Sequence, residues 1–160
     1  MRNFSVIEQT VSTLKAAHYQ AELHALAIPR TESLLGIFDR YERDITATNQ
    51  GRFSAIAIHD EAYHNIPANL QRAARELPVD RIVVYRRNLA NETVAYLDED
   101  GLVFLDKVDF GKLFAQIRQP QRDTAFYRGE YERLVQSAQR RGETNATYLS
   151  ELDALGKQIG

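Results

Sequence analysis

Asp44-Ile-Thr-Ala-Thr-Asn-Gln-Gly-Arg-Phe-Ser-Ala-Ile-Ala-Ile-His59 is the stretch whose reading decides the fold. Residues 44–48 are rich in β-branched side chains, and residues 52–58 form a second β-prone run. Between them, Asn49-Gln50-Gly51 has turn chemistry, because Asn and Gly tolerate the positive φ of a tight hairpin. The stretch therefore predicts two strands joined by a turn.

Upstream, Phe4, Ile7, Val11, Leu14 and Ala17 recur at helical spacing. Residues 20–28 fit a helix end or a strand, and Pro29 closes them. Residues 31–42 predict a short amphipathic helix with Leu34, Leu35, Ile37, Phe38 and Tyr41 on one side and Thr31 as its cap. Downstream, Pro67 suits the first turn of a helix over residues 68–77, since its missing N–H is harmless there. Asp80-Arg-Ile-Val-Val-Tyr85 is a continuous apolar run, as in a central strand covered on both faces. Residues 90–97 fit either a strand or a helix capped by Asn91. Gly101 then breaks the chain before a short apolar strand over residues 102–105. Asp109 caps a helix bearing Phe110, Leu113, Phe114 and Ile117, and Pro120 marks a boundary.

Residues 122–160 predict a helical pair broken near Gly142. One stripe is Phe126, Tyr127, Tyr131, Leu134, Val135 and Ala138; the other is Tyr148, Leu149, Leu152, Leu155 and Ile159. Both stripes are expected to pack on the α/β core, the alternative being a dimer or partner-binding hairpin. The fold class is α/β: a small mixed sheet flanked by helices, with a C-terminal helical hairpin. The expected division is a core over residues 1–120 and a helical extension over 121–160.

The 160 residues suffice for one domain with its own core. Hydrophobic residues make up 44% and charged residues 26%, ordinary for a globular protein. No apolar run approaches the roughly 20 residues that span a bilayer, and residues 1–15 lack a signal-peptide apolar stretch. Cysteine is absent, which excludes disulfides, thiolate zinc sites and cysteine nucleophiles. A cytoplasmic, prokaryotic setting is the simplest expectation. The net charge of −2 argues against a chain that binds nucleic acid over its whole surface. Its 20 cations divide into 16 Arg and 4 Lys. Arg suits phosphate forks, although a GC-rich coding sequence produces the same bias.

The order of elements resembles the restriction-endonuclease-like superfamily, nearest to Mrr-type domains. The stretch from Asp44 to His59 resembles that family's catalytic hairpin, where an Asp starts one strand and a Glu-x-Lys lies on the next. Residues 79–85 and 91–117 are similar to its closing β-α-β-α unit, which implies a helix over residues 91–99. The resemblance covers about half of the chain and implies metal-assisted phosphodiester hydrolysis, in which a hard cation is held by carboxylates and activates water. Carried over position by position, Asp44 matches the first carboxylate and the metal ligand. Ala57 stands where the Glu belongs and His59 where the Lys belongs. That removes one ligand and a fixed positive charge. Glu61 would share the face of His59 on a continuing strand, so Asp44, His59 and Glu61 form the relocated catalytic set. His59 and His64 are the alternative metal pair.

Arg52, Arg86, Arg87, Arg122 and Arg128 are the candidate nucleic-acid contacts. Arg86 and Arg87 follow a central strand, where α/β ligand sites lie. Arg122 and Arg128 alternate with Phe126, Tyr127 and Tyr131, a pairing that suits nucleic acid. The cluster Asp98, Glu99, Asp100, Asp106 and Asp109 reads as solvated turn surface. The leading expectation is a non-catalytic nuclease-fold protein that binds DNA or a protein partner in a defence, mobile-element or repair system, without a cofactor. One alternative is an active DNA endonuclease using Mg²⁺ or Mn²⁺. The other is an inhibitor or assembly subunit with no nucleic-acid contact. No membrane is involved, and a homodimer would form through residues 122–160.

Overall fold

The computed structural model describes residues 2–88, 93–100 and 107–160. It is mixed α/β and mostly helical. The chain divides into two compact units, Met1–Ile28 with Glu61–Gln119, and Pro29–Asp60 with Pro120–Gly160. Residues 29–60, expected in the core with the rest of 1–120, therefore group with the C-terminal helices.

The first unit holds a three-stranded sheet. Strands β1 (Glu22–Leu26) and β2 (Arg81–Arg87) are parallel, with Leu26 opposite Tyr85. Strand β3 (Thr93–Asp100) runs antiparallel on the other side of β2, with Thr93 opposite Arg87 and Asp100 opposite Arg81. Residues 20–28, open on sequence, thus supply a strand. Residues 93–100 are a strand too, which corrects the helix implied over 91–99. The expected strand at 102–105 lies outside the described residues.

The apolar run behaves as expected for the middle of a sheet: Ile82, Val83 and Val84 are all buried. Burial of this kind is worth about 1.5–3 kcal/mol per large side chain. Helix α1 (Phe4–Ala16) covers the sheet with Phe4, Ile7 and Val11, capped by Asn3, whose side chain accepts from the Ser5 N–H. Helix α4 (Phe110–Ile117) adds Phe110, Phe114 and Ile117 and is capped by Asp109. Asp80 ties three segments together. It accepts from Lys15 Nζ at 2.7 Å and from the Ala21 N–H at 2.7 Å, and its own N–H donates to Ala21 O.

The quoted stretch is not a hairpin. Helix α2 runs Arg30–Thr48 and helix α3 runs Ile56–Glu76. The apolar stripe Leu34, Leu35, Phe38 and Tyr41 continues to Ile45, one helical turn on, which packs on the same cluster. Tertiary packing thereby overrides the β-prone composition of residues 44–48. Asn49 takes the left-handed conformation, φ 55°, and ends the helix as its C-cap. Gly51 follows because a Cβ there would stand 2.8 Å from the Tyr41 ring. Phe53 completes an aromatic cluster with Phe38, Tyr41 and Tyr148. The Ile56 N–H, at the start of α3, donates to Glu151 at 2.8 Å.

Pro67 does not open a helix; it lies inside α3. Its missing N–H would have served the Tyr63 carbonyl four residues back. Arg118 Nη2 donates to that carbonyl instead, at 2.8 Å. The helix continues and delivers Leu70, Ala73 and Ala74 to the core of the first unit.

In the second unit, α5 (Thr124–Arg141) and α6 (Ala146–Ile159) form the expected helical pair, broken by Gly142 at φ 67°. Their stripes pack with α2 rather than with the sheet. At their centre Glu42 is 4% exposed. Its carboxylate accepts from Arg141 at 2.8 Å, Tyr148 at 2.6 Å and Ser137 at 2.8 Å. Arg141 also donates to Glu143, which accepts from Tyr41 Oη. Burial opposes the Arg141 charge, and the two carboxylates outweigh it and raise its pKa. Among the described residues no helix is long and apolar enough to cross a membrane.

Glu42→Ala leaves the Tyr148 and Ser137 hydroxyls without their acceptor and takes from Arg141 one of its two carboxylates. The expected loss is about 3–5 kcal/mol, the range for breaking a buried ion pair, measured by urea unfolding. A loss below about 1 kcal/mol would show that the network contributes little.

Candidate functional site

A second polar cluster of the second unit joins the start of α2 to the start of α3. Arg30 opens α2 after Pro29, which has no side chain to cap the helix. Its guanidinium forks onto Asp60: Nε donates to Oδ1 at 2.8 Å and Nη2 to Oδ2 at 2.7 Å. His59 Nδ1 lies 3.0 Å from Asp60 Oδ1, and its Nε2 lies 2.8 Å from Ser33 Oγ. The His59 side chain is only 8% exposed.

The protonation pattern follows from donors and acceptors. An ionised carboxylate only accepts, so His59 Nδ1 carries a hydrogen towards Asp60, and in the neutral ring Nε2 is then the acceptor for the Ser33 hydroxyl. This places a hydroxyl against an imidazole oriented by a carboxylate, the order in which a side chain is readied to give up a proton. Arg30 restrains that chemistry. Its hydrogen bonds are the main reason the Asp60 carboxyl sits below the usual carboxylate range, and the His59 contact adds to the shift. Asp60 stays ionised, its charge shared between the Arg30 fork and the His59 N–H. The cluster thus holds an oriented imidazole and a polarised hydroxyl beside a neutralised ion pair.

The residues singled out from sequence are dispersed. Asp44 is exposed on α2, and its carbonyl accepts from Thr48 Oγ1. His59 is in the cluster. Glu61 is exposed on α3 and faces Arg2 at 3.7 Å, in the first unit. Asp44 and Glu61 hold no contact with His59. Helical residues two apart point in different directions, so the shared face argued for a strand does not arise. Among the described residues no group of three or more His, Asp or Glu side chains could hold a metal. Arg52 is exposed in the segment between α2 and α3. Arg86 and Arg87 end β2 and are half-buried. Arg122 lies 4.2 Å over the Phe126 ring, and Arg128 is exposed on α5. Arg30 and Ser33 were not legible as site residues, because their partners lie 30 and 26 positions away.

The zeta toxin family model matches residues 1–101. The chain belongs to the zeta toxin family. Toxin zeta of Enterococcus hirae is 32% identical over 89 residues, which cover 54% of this chain and 30% of that relative. The chain therefore spans under a third of the length of the curated relative it matches. These findings overturn the restriction-endonuclease-like resemblance, because zeta toxins have a P-loop, kinase-like fold. The reading as a degenerate nuclease that binds DNA, with its defence or repair setting, falls with it, and so does the active-endonuclease alternative. The likeness rested on strand–helix alternation and Gly turns, which many α/β folds share. Its catalytic hairpin is two helices here.

Asp60→Asn removes the anion shared by Arg30 and His59. The expected cost at pH 7 is about 1–3 kcal/mol by chemical denaturation. A carboxyl held low in the folded state stabilises above its unfolded pKa, near 3.9, and that contribution is lost as pH falls through the folded value. The gap between the parent and Asp60→Asn should therefore close below about pH 4. A gap that widens on acidification would refute the ion-pair account.

Proposed function

We propose that the protein carrying these residues works as the toxin member of a toxin–antitoxin pair, with the phosphoryl-transfer chemistry of a P-loop, kinase-like toxin, and that its natural partner is an antitoxin protein. The observation that supports this most is the family match over residues 1–101, which takes in β1, α2, α3, β2 and β3. The Arg30–Asp60–His59–Ser33 cluster fits such chemistry as a donor-rich site with an oriented imidazole. A P-loop grips phosphates with the main-chain N–H groups of a G-x-x-x-x-G-K-[ST] run. These 160 residues contain no such run. The nucleotide-gripping loop, where the activity exists, comes from outside them.

Two measurements test this reading. Induced expression of the whole reading frame in a bacterial host should arrest growth, and co-expression of the antitoxin that neutralises Toxin zeta should relieve the arrest. Normal growth, at levels where Toxin zeta itself arrests the same host, would overturn the toxin assignment. The 160 residues alone should turn over no ATP. Turnover by them would show a phosphate grip of another kind and overturn the division of labour proposed here.

A further inference from the structure

Thr10, Thr13 and Thr48 show what a helical hydroxyl ordinarily does here: each donates to the carbonyl four residues back. Ser137 donates to the Glu42 carboxylate. Ser33 has the local option as well, since its own N–H already reaches the Pro29 carbonyl at 3.0 Å. Its Oγ instead meets His59 Nε2 at 2.8 Å. The His59 side chain is buried, and Asp60 holds its Nδ1 at 3.0 Å. Asp60 is fixed by the Arg30 fork, and Arg30 in turn donates to Gln158 of α6. A hydroxyl, an imidazole and a carboxylate linked in that order are what a serine needs to act as a nucleophile.

A nucleophile also needs donors for the charge that develops on the attacked group. Thr31 and Glu32 lie in the first turn of α2, where N–H groups have no intrahelical acceptor, and Pro29 has no side chain to cap them. A helical Cβ tilts toward the amino terminus, so the Ser33 side chain leans over that turn. The Glu32 carboxylate is occupied elsewhere, accepting from Tyr127 Oη at 3.1 Å. Ser33 is half-buried, so a small molecule can reach it, and Arg30 and Asp60 are partly exposed beside it. Arg30 draws on the same carboxylate that orients the ring, so Asp60 helps His59 less than an unpaired acid would. That favours a carbonyl already activated by a good leaving group.

We propose that Ser33 is a nucleophile that accepts an acyl group from an activated ester, a thioester or an aryl ester, with His59 as its general base and Asp60 as the positioning residue. Ser33 Oγ bonds to the carbonyl carbon while its proton passes to His59 Nε2. The carbon–sulfur or carbon–oxygen bond to the leaving group then breaks, and the leaving group departs with the electron pair and takes the proton from the imidazolium. The product is an ester on Ser33 and a free thiol or phenol. No oxidant, metal or nucleotide enters the balance. The proposal does not rest on the toxin reading, since it concerns one hydroxyl of these 160 residues.

The test is reaction of the 160-residue chain with p-nitrophenyl acetate, followed by peptide mass mapping over time. Acetyl is expected on Ser33, with a matching release of p-nitrophenolate. Ser137, also half-buried but paired with a carboxylate, is the control within the same digest. Ser33 should react about 100-fold faster than Ser137, the lower end of what a positioned general base contributes. Ser33→Ala should lose the release attributed to that site. His59→Gln should slow acetylation of Ser33 by about the same 100-fold. Asp60→Asn should slow it as well, and Asp60→Glu, which keeps the carboxylate, should recover part of the rate. Equal labelling of Ser33 and Ser137 in the parent chain, or a parental rate at Ser33 in folded His59→Gln, would overturn the proposal.

Discussion

A proline in the middle of a 21-residue helix is the constraint on which the rest turns. Pro67 takes one donor out of α3 and leaves the Tyr63 carbonyl to be served from elsewhere. Arg118, from the end of α4, supplies that donor. Helix α3 can then run unbroken from Ile56, past His59 and Asp60, to Leu70, Ala73 and Ala74 in the core of the first unit. Were the helix to break at Pro67, Leu70, Ala73 and Ala74 would lose their place over the sheet of the first unit. The contact is long-range in sequence, 55 residues apart, and no local pattern announces it.

Much of the fold was legible where one periodicity had no rival. The apolar run 82–84 could only be a buried strand. Asp109 with Phe110, Phe114 and Ile117, and the two C-terminal stripes divided by Gly142, read as helices and are helices. The misreading at residues 44–58 has a specific cause. Asn adopts positive φ in a hairpin turn and at a helix C-cap alike, so Asn49 fitted both. The deciding signal was Ile45, four residues after Tyr41 and seven after Phe38. It extends the helical stripe, whereas the β-branched Thr46 and Thr48 suggested a strand. Pro67 was placed in a first turn because nothing nearby indicates a distant arginine.

The site was legible only in part, for a related reason. His59 stood out as an unusual residue, yet its reading depended on the secondary structure beneath it. On a strand it would align with Glu61; on a helix it aligns with neither Glu61 nor Asp44. Its partners are Asp60, one residue on, and Ser33 at the start of another helix. Composition carries no trace of such a pairing. The family relationship supplies the scaffold's lineage, while the polar contacts state what these particular side chains do to one another.

The likeness to zeta toxins ends at residue 101, but the dependence of residues on one another does not. Glu42 belongs to the matched stretch; Arg141 and Tyr148, which neutralise and hydrogen-bond it, lie well beyond. A buried carboxylate deprived of both is a liability no single replacement elsewhere repairs. Inheritance must therefore treat α2 and the C-terminal helical pair as one parcel. Recombination at the edge of the recognisable homology would separate an acid from its base. The border visible to comparison is thus a border of ancestry, and the unit that has to change together straddles it.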